Sequence, residues 1–407
     1  MNFNLLNNLV DLCSRKGISD VVLCPGSRSA PITLSFLRNK FFHCRTFSDE
    51  RSAAFIALGI AQETHSPVAL VCTSGSAAYN FAPAISEAFF QQVPLIVLTA
   101  DRPKEWIDQL DGQTIRQANL YSSHVKKYYE LSVDDTHPDA GWYASRIINE
   151  AVNLSLSGAP GPVHINIPLR EPLYPGGSEP VVRNPLKNIE SIQTKAILSD
   201  DQVKSIARDL SGFKKILIVS GQNESDSNLA ESVSSFHPKS GWPVVGDILS
   251  NLHSLPFFCR HTDTYLGQIP DAVKADLRPD LIISFGKSVV AKNLKLFLRN
   301  CENTAHWHIQ PVGEAADTFK RLTKIISVEP VTFFNQLSGQ IYSEQNEAKA
   351  YRKKWDALEN PAQSLIAEYF NSSKKSEFTL VNEIMRSLPQ PCNLHLANSM
   401  SVRYANH

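Results

Sequence analysis

Short apolar runs recur along this chain, and each delivers a turn rich in glycine, serine or charge before the next stretch of helical periodicity begins. The runs DVVLC (20–24), VALVC (68–72), PLIVLTA (94–100) and PVHINIP (162–168) are too short for helices and largely apolar, which predicts strands buried in a parallel sheet. Residues 4–16 carry an amphipathic stripe ended by Gly17, and residues 142–156 repeat the helical period. The stretch 46–76 organises the rest. Ser48 is the predicted N-cap, Asp49 and Glu50 fall in the first turn, where carboxylates suit the helix dipole, and Ala53, Ile56, Ala57 and Ile60 form one apolar stripe. His65-Ser66-Pro67 ends that helix, and residues 73–76 lead from the strand at 68–72 into another. This alternation predicts a doubly wound α/β domain over 1–175, with helix N-termini brought to the carboxyl edge of its sheet.

The run Pro175-Gly176-Gly177-Ser178 and the prolines that follow it predict an exit linker over 176–195. A second strand and helix series then occupies 196–340, through KILIVS (215–220), 242–246, LIISF (281–285), 304–309 and 324–328, and reads as a smaller Rossmann-like middle domain. Ser220-Gly221-Gln222-Asn223 lacks the spacing of a dinucleotide loop, so no nucleotide is assigned to it. Residues 340–389 are helical and charged with Trp355 as a core anchor, and CNLHLANS (392–399) reads as one more edge-delivering strand, so 341–407 is set down as the start of a third α/β domain.

The 407 residues exceed one ordinary core, consistent with this division. With 40 basic and 40 acidic side chains the formal charge is zero, which advertises neither nucleic acid nor an anionic membrane as a partner. No apolar run approaches membrane-spanning length, and the first residues lack the basic start and continuous apolar core of a signal peptide. Cys13, Cys24, Cys44, Cys72, Cys259, Cys301 and Cys392 are odd in number and include no CxxC pair, the pattern of free thiols in a reducing cytoplasm.

The turns at the strand ends carry the candidate chemistry. In PGSRSAP (25–31) Gly26 permits the turn, Ser27 and Ser29 offer hydroxyls, and Arg28 presents a guanidinium fork suited to a carboxylate, either a ligand's or a structural partner's. A glutamate such as Glu50 in a first helical turn is, taken alone, ordinarily a solvated residue stabilised by the dipole. Arg102, after the strand at 94–100, and Gln113, in the polar segment that follows, read alone as surface loop residues.

It is the set that changes their weight. SDER with its small-residue helix, PGSRSAP upstream, and TSGSAAYN (73–80), LTADRP (98–103), GQTIRQ (112–117) and VHINIPLREPLY (163–174) downstream resemble the pyrimidine-binding domain of thiamine-diphosphate enzymes. More narrowly, they are similar to the 2-succinyl-5-enolpyruvyl-6-hydroxy-3-cyclohexene-1-carboxylate synthases of menaquinone biosynthesis, a similarity that runs more thinly to the last residues. The resemblance implies a thiamine-diphosphate-enzyme fold and a carbon–carbon bond-forming transferase that decarboxylates 2-oxoglutarate and adds the four-carbon remainder to isochorismate. It implies Glu50 as the catalytic carboxylate facing the aminopyrimidine N1′, with Thr73, Ser74 and Gly75 beside the cofactor. Substrate binding is implied for Ser27, Arg28, Arg102, Gln113, Lys292, Ser399 and Arg403. Lys292 matches the first of a basic pair whose second member is Asn293 here, and a solvated lysine is its other reading.

The implied cofactors are thiamine diphosphate and Mg²⁺. Gly246-Asp247 is followed by Ile248 rather than glycine and reads as a turn, so the metal ligands are expected beyond residue 407 and the sequence reads as a fragment of a longer synthase that binds the cofactor weakly or not at all. A cytoplasmic homodimer or homotetramer is expected, without nucleic acid or membrane. Another thiamine-dependent 2-oxoacid decarboxylase or synthase, or a non-catalytic binding module, are the alternatives.

Overall fold

The computed structural model describes residues 4–134, 137–174, 187–314, 316–341, 346–372, 375–389, 392 and 394–407. Most of the expected linker, 176–186, lies outside them. The chain divides into two compact units, Met1–Gln193 and Thr194–His407.

The first unit is built on six parallel strands: β1 (Asp20–Leu23), β2 (His43–Thr46), β3 (Val68–Cys72), β4 (Leu95–Asp101), β5 (Tyr128–Glu130) and β6 (Val163–Pro168), in the order β2-β1-β3-β4-β6-β5. Successive residues of one strand enter different apolar clusters. Val21, Leu23, Ala69 and Val71 join one with Leu9, Phe36 and Ile148, whereas Val22, Cys24, Leu70 and Cys72 join another with Ala53, Phe81 and Ile85. Because side chains alternate across a strand, the two clusters are the two faces of the sheet, each covered by helices, and the unit is doubly wound.

The helix Glu50–Thr64 starts one residue later than the sequence suggests. Asp49, not Ser48, is its N-cap, and its carboxylate accepts from the Ser52 N–H at 2.7 Å. Glu50 therefore becomes the first helical residue, and the fully buried stripe is Ala53, Ala54, Ala57, Leu58 and Ala61, with Ile56 and Ile60 only half-buried.

The second unit repeats the plan with β7 (Ile216–Ser220), β8 (Val244–Gly246), β9 (Phe258–Cys259), β10 (Leu281–Phe285), β11 (Ala305–Ile309) and β12 (Leu322–Ile326), all parallel in the order β12-β11-β10-β7-β8-β9. Asp247 caps the turn after β8 and accepts from the backbone N–H groups of Leu249, Val290 and Ala291. The charged run after residue 340, set by the sequence at the start of a third domain, packs its first helix, Asn346–Asn371, onto this sheet. Tyr351 and Trp355 are buried in the same cluster as Leu217, Val219 and Ile282.

Among the described residues of 392–399 the expected strand is not formed: residues 394–397 have no regular structure, and Leu394 and Leu396 stay exposed. A short apolar run becomes a strand only where a neighbouring backbone completes its ladder, and the described residues supply none here. Among the described residues no helix is long and apolar enough to cross a membrane.

Candidate active site

Three strands of the first sheet and one helix mouth place the candidate residues. Beyond β1, Gly26 lies so close to Thr73 that a Cβ on it would sit 2.4 Å from the threonine Cβ, which locks the turn after β1 onto the turn after β3. Arg28 is buried within the first turn: Nη1 donates to the Leu169 carbonyl at 2.8 Å, and Nη2 pairs with the exposed carboxylate of Glu171 at 3.2 Å. Burial, with Arg102 nearby, lowers its pKa, while Glu171 and Asp111 oppose the shift. Ser29 bonds back to the carbonyls of Cys24 and Gly26, whereas Ser27 is exposed.

Glu50 is half-buried at the mouth of its helix, and among the described residues no donor reaches its carboxylate. Its charge is felt at the ends of β1 and β3. Burial and the negative charge of Glu50 push the Cys24 thiol up to about 12, and burial, then Cys24, then Glu50 raise Cys72. Thr73 and Ser74 are buried, and the Thr73 hydroxyl has no hydrogen-bond partner. Gly75 adopts φ +85°, which only glycine takes easily, and its Cα faces the Gln113 carbonyl so closely that a Cβ would lie 3.0 Å from that oxygen.

Arg102 closes the group from β4. Its Nη1 donates to the Ser74 hydroxyl at 2.9 Å and to the Gln113 carbonyl at 3.1 Å, and its Nε is paired with Asp111. The first sheet thus gathers Arg28, Glu50, Thr73, Ser74, Gly75, Arg102 and Gln113 at one edge, with Ser27 in the same turn as Arg28. Both arginines already hold a carboxylate of the chain itself. The other three candidates lie in the second unit. Lys292 is exposed at the start of the helix Lys292–Arg299; Ser399 is exposed with φ +79°; and Arg403 Nη1 donates to the Ser399 carbonyl at 2.5 Å. The helix Met400–Ala405 borders a cavity of about 310 Å³ lined by His253, Arg260, Arg386, Tyr404 and His407 among others, and not by Lys292, Ser399 or Arg403.

Beneath this edge runs a buried polar network that the sequence reading passed over. Asn166 of β6 sits opposite Thr99 of β4 and receives its hydroxyl proton at 2.9 Å; its Nδ2 donates to Asp101 at 2.9 Å and to Glu130 at 3.3 Å. Since Thr99 donates to Asn166, His164 Nε2, 2.7 Å from that hydroxyl, must carry the proton it donates, and the His164 Nδ1 is left without a partner. Thr99, His164 and Asn166 are the polar residues inside otherwise apolar runs, which is the signal by which they could have been found.

Burial holds the His164 pKa down to about 3. The folded protein keeps this imidazole neutral while the unfolded chain protonates it near pH 6.5, so its contribution is intact above that pH and is lost as the pH falls toward 3. We expect unfolding free energy to decline across this window by up to about 1.4 kcal/mol per pH unit from this residue, and His164→Gln to flatten the slope. Urea midpoints measured across the window check it, and equal slopes for the two proteins would contradict it.

Comparison with known proteins bears on this arrangement. Residues 3–120 match the family described as "Thiamine pyrophosphate enzyme, N-terminal TPP binding domain", and residues 191–396 the "Middle domain of thiamine pyrophosphate". The chain is 43% identical over 403 residues to the 2-succinyl-5-enolpyruvyl-6-hydroxy-3-cyclohexene-1-carboxylate synthase of Cytophaga hutchinsonii, covering 98% of this chain and 70% of that protein. The chain belongs to this synthase family. The synthase of Flavobacterium johnsoniae is 37% identical over 402 residues, again spanning 98% of this chain and 70% of that protein. A solved structure of benzoylformate decarboxylase from Polynucleobacter necessarius shares the fold, with a TM-score of 0.61 at 17% identity, covering 85% of this chain and 62% of that one. As a member of the synthase family the chain is of the thiamine-diphosphate-dependent kind that forms a carbon–carbon bond in menaquinone biosynthesis.

Proposed function

We propose that the edge described above is the pyrimidine side of a thiamine-diphosphate site in a synthase that decarboxylates 2-oxoglutarate and adds the four-carbon remainder to isochorismate. The observation that carries the reading is Glu50: a carboxylate that no donor of the described residues satisfies, at a helix mouth beside a turn whose Thr73 hydroxyl is also unpartnered. A carboxylate open to a ligand at a helix mouth, beside a buried hydroxyl without a partner, suits a heterocyclic ligand with ring nitrogens. Those residues fit thiamine diphosphate, with Glu50 toward the aminopyrimidine and Thr73, Ser74 and Gly75 along it. When bound, the cofactor supplies the carbanion-stabilising chemistry that lets a 2-oxoacid lose CO₂ and form a new carbon–carbon bond. Mg²⁺ is proposed to accompany its diphosphate.

The chain's own residues do the rest. Glu50 holds or shares a proton at the ring nitrogen. Arg28 and Arg102, each already carrying a carboxylate in Glu171 and Asp111, take a substrate carboxylate in exchange, with Ser27 and Gln113 beside them. Lys292, Ser399 and Arg403 are proposed for further carboxylate contacts on their motif match. Both substrates carry several carboxylates, which explains the arginines. A cytoplasmic location is proposed from the seven free cysteines. A homodimer or homotetramer is proposed from exposed Phe55, Tyr79 and Phe90 on three mutually packed helices, and a one-chain mass in sedimentation would oppose it.

The test is an assay of the active enzyme with both substrates. Isochorismate consumption matched by CO₂ release from 2-oxoglutarate is expected. CO₂ release without isochorismate consumption would make the protein a 2-oxoacid decarboxylase instead, and failure to bind thiamine diphosphate would make it a binding module.

A further inference from the structure

Gln117 is assigned no role above, yet it is buried and its carboxamide is fully engaged. Its Oε1 accepts the Gly75 backbone N–H at 2.9 Å, while its Nε2 donates to the Ala100 carbonyl at 3.1 Å and to Asn166 Oδ1 at 3.0 Å. One side chain therefore ties the turn after β3 to the end of β4 and to β6. On the same turn, Ser74 is held from the other side by Arg102, whose own N–H donates to Asp101 at 2.7 Å, and Asp101 in turn accepts from Asn166. Gly75 sits in a conformation that costs other residues strain, and glycine is also the residue with most freedom to leave it, so the turn needs an external restraint.

We propose that Gln117 is a positioning residue that fixes the Thr73–Gly75 turn and couples its placement to that of Arg102. Its importance for the reaction rests on the cofactor reading given above; the restraint on the turn does not. A buried amide that donates in one direction and accepts in the other fixes orientation more than a single bond does, because rotating it would break all three bonds at once.

The decisive measurement is amide hydrogen exchange at Gly75 in the 407-residue chain without cofactor. In the unaltered protein Gly75 is expected to exchange slowly although it lies in a turn, and rapid exchange there would overturn the proposal without any variant. Gln117→Met, which keeps the length and removes the bonds, is expected to speed Gly75 exchange about tenfold with Val71 of β3 unchanged. Gln117→Glu keeps an acceptor for Gly75 but turns its second oxygen on the Ala100 carbonyl and on Asn166 Oδ1, and is expected to leave Gly75 exchange fast as well; full protection in this variant would overturn the proposal. Unchanged Gly75 exchange in Gln117→Met, or equal acceleration throughout β3 and β4, would overturn the proposal, the latter by showing only general loosening. Titrating thiamine diphosphate against the active enzyme separates the two readings. Affinity lost together with Gly75 protection supports both; protection lost at unchanged affinity sustains the positioning role and removes the turn from the cofactor site.

Discussion

Glu50→Gln is expected to lower turnover of the active enzyme by about 10²–10⁴-fold, equivalent to roughly 3–5 kcal/mol of barrier, with much less effect on cofactor affinity. Glutamine keeps the size of the side chain and one acceptor oxygen but cannot share a proton with a ring nitrogen. The environment supports the size of the effect: Glu50 is half-buried at a helix mouth, and among the described residues no donor competes for its carboxylate. Its neighbour serves as the control. Asp49 is the N-cap, exposed and bonded to the Ser52 N–H, and asparagine caps as well as aspartate. Asp49→Asn should therefore leave both rate and stability nearly unchanged. Steady-state kinetics of the two variants decide the matter. Near-normal turnover in Glu50→Gln, or a larger loss in Asp49→Asn, would mean that the wrong carboxylate has been assigned.

What the sequence revealed was what hydrophobicity dictates locally. The strands at 68–72 and 281–285 are too apolar to be anything but buried, and their bounds match the structure residue for residue. The edge strands β2 and β5 were not anticipated, since HCRT and YYE carry no continuous apolar signal; they exist because parallel neighbours complete their ladders. The converse error is the strand at 392–399, where an apolar pattern was present and the described residues supply no pairing partner. The helix at Glu50 was legible as a helix, but not the competition between Ser48 and Asp49 to cap it, which geometry alone settles. At the site, charged and hydroxyl residues in turns were visible through their motifs. His164 and Asn166 stand out only as polar residues within an apolar run, and Gln117, in a polar segment, does not stand out at all, because what each bonds to on a distant strand is not written in its neighbours.

The largest stability effect is expected at Trp355. Its indole is fully buried, with ring neighbours Tyr351, Phe297 and Tyr265 at centroid distances of 6.4, 6.1 and 6.5 Å, and it joins the helix Asn346–Asn371 to the second sheet. Trp355→Ala should cost about 3–5 kcal/mol, the range for removing a large aromatic from a packed core, and Trp355→Phe clearly less. The loss should propagate along a chain of bonds. The same helix presents Glu359, whose carboxylate accepts from the backbone N–H groups of Arg260 and His261 and lies 2.6 Å from the His261 ring nitrogen. Asn406 donates to the Arg260 carbonyl and accepts from the Ile248 N–H, which anchors the helix Met400–Ala405 that carries Arg403. Loosening Trp355 should thus raise hydrogen exchange in residues 400–406 while leaving the first unit's sheet as it was. Urea unfolding followed by exchange mass spectrometry reads both quantities. A loss below about 1 kcal/mol, small beside the cost of emptying a core aromatic site, would show that this helix is not part of the second unit's core.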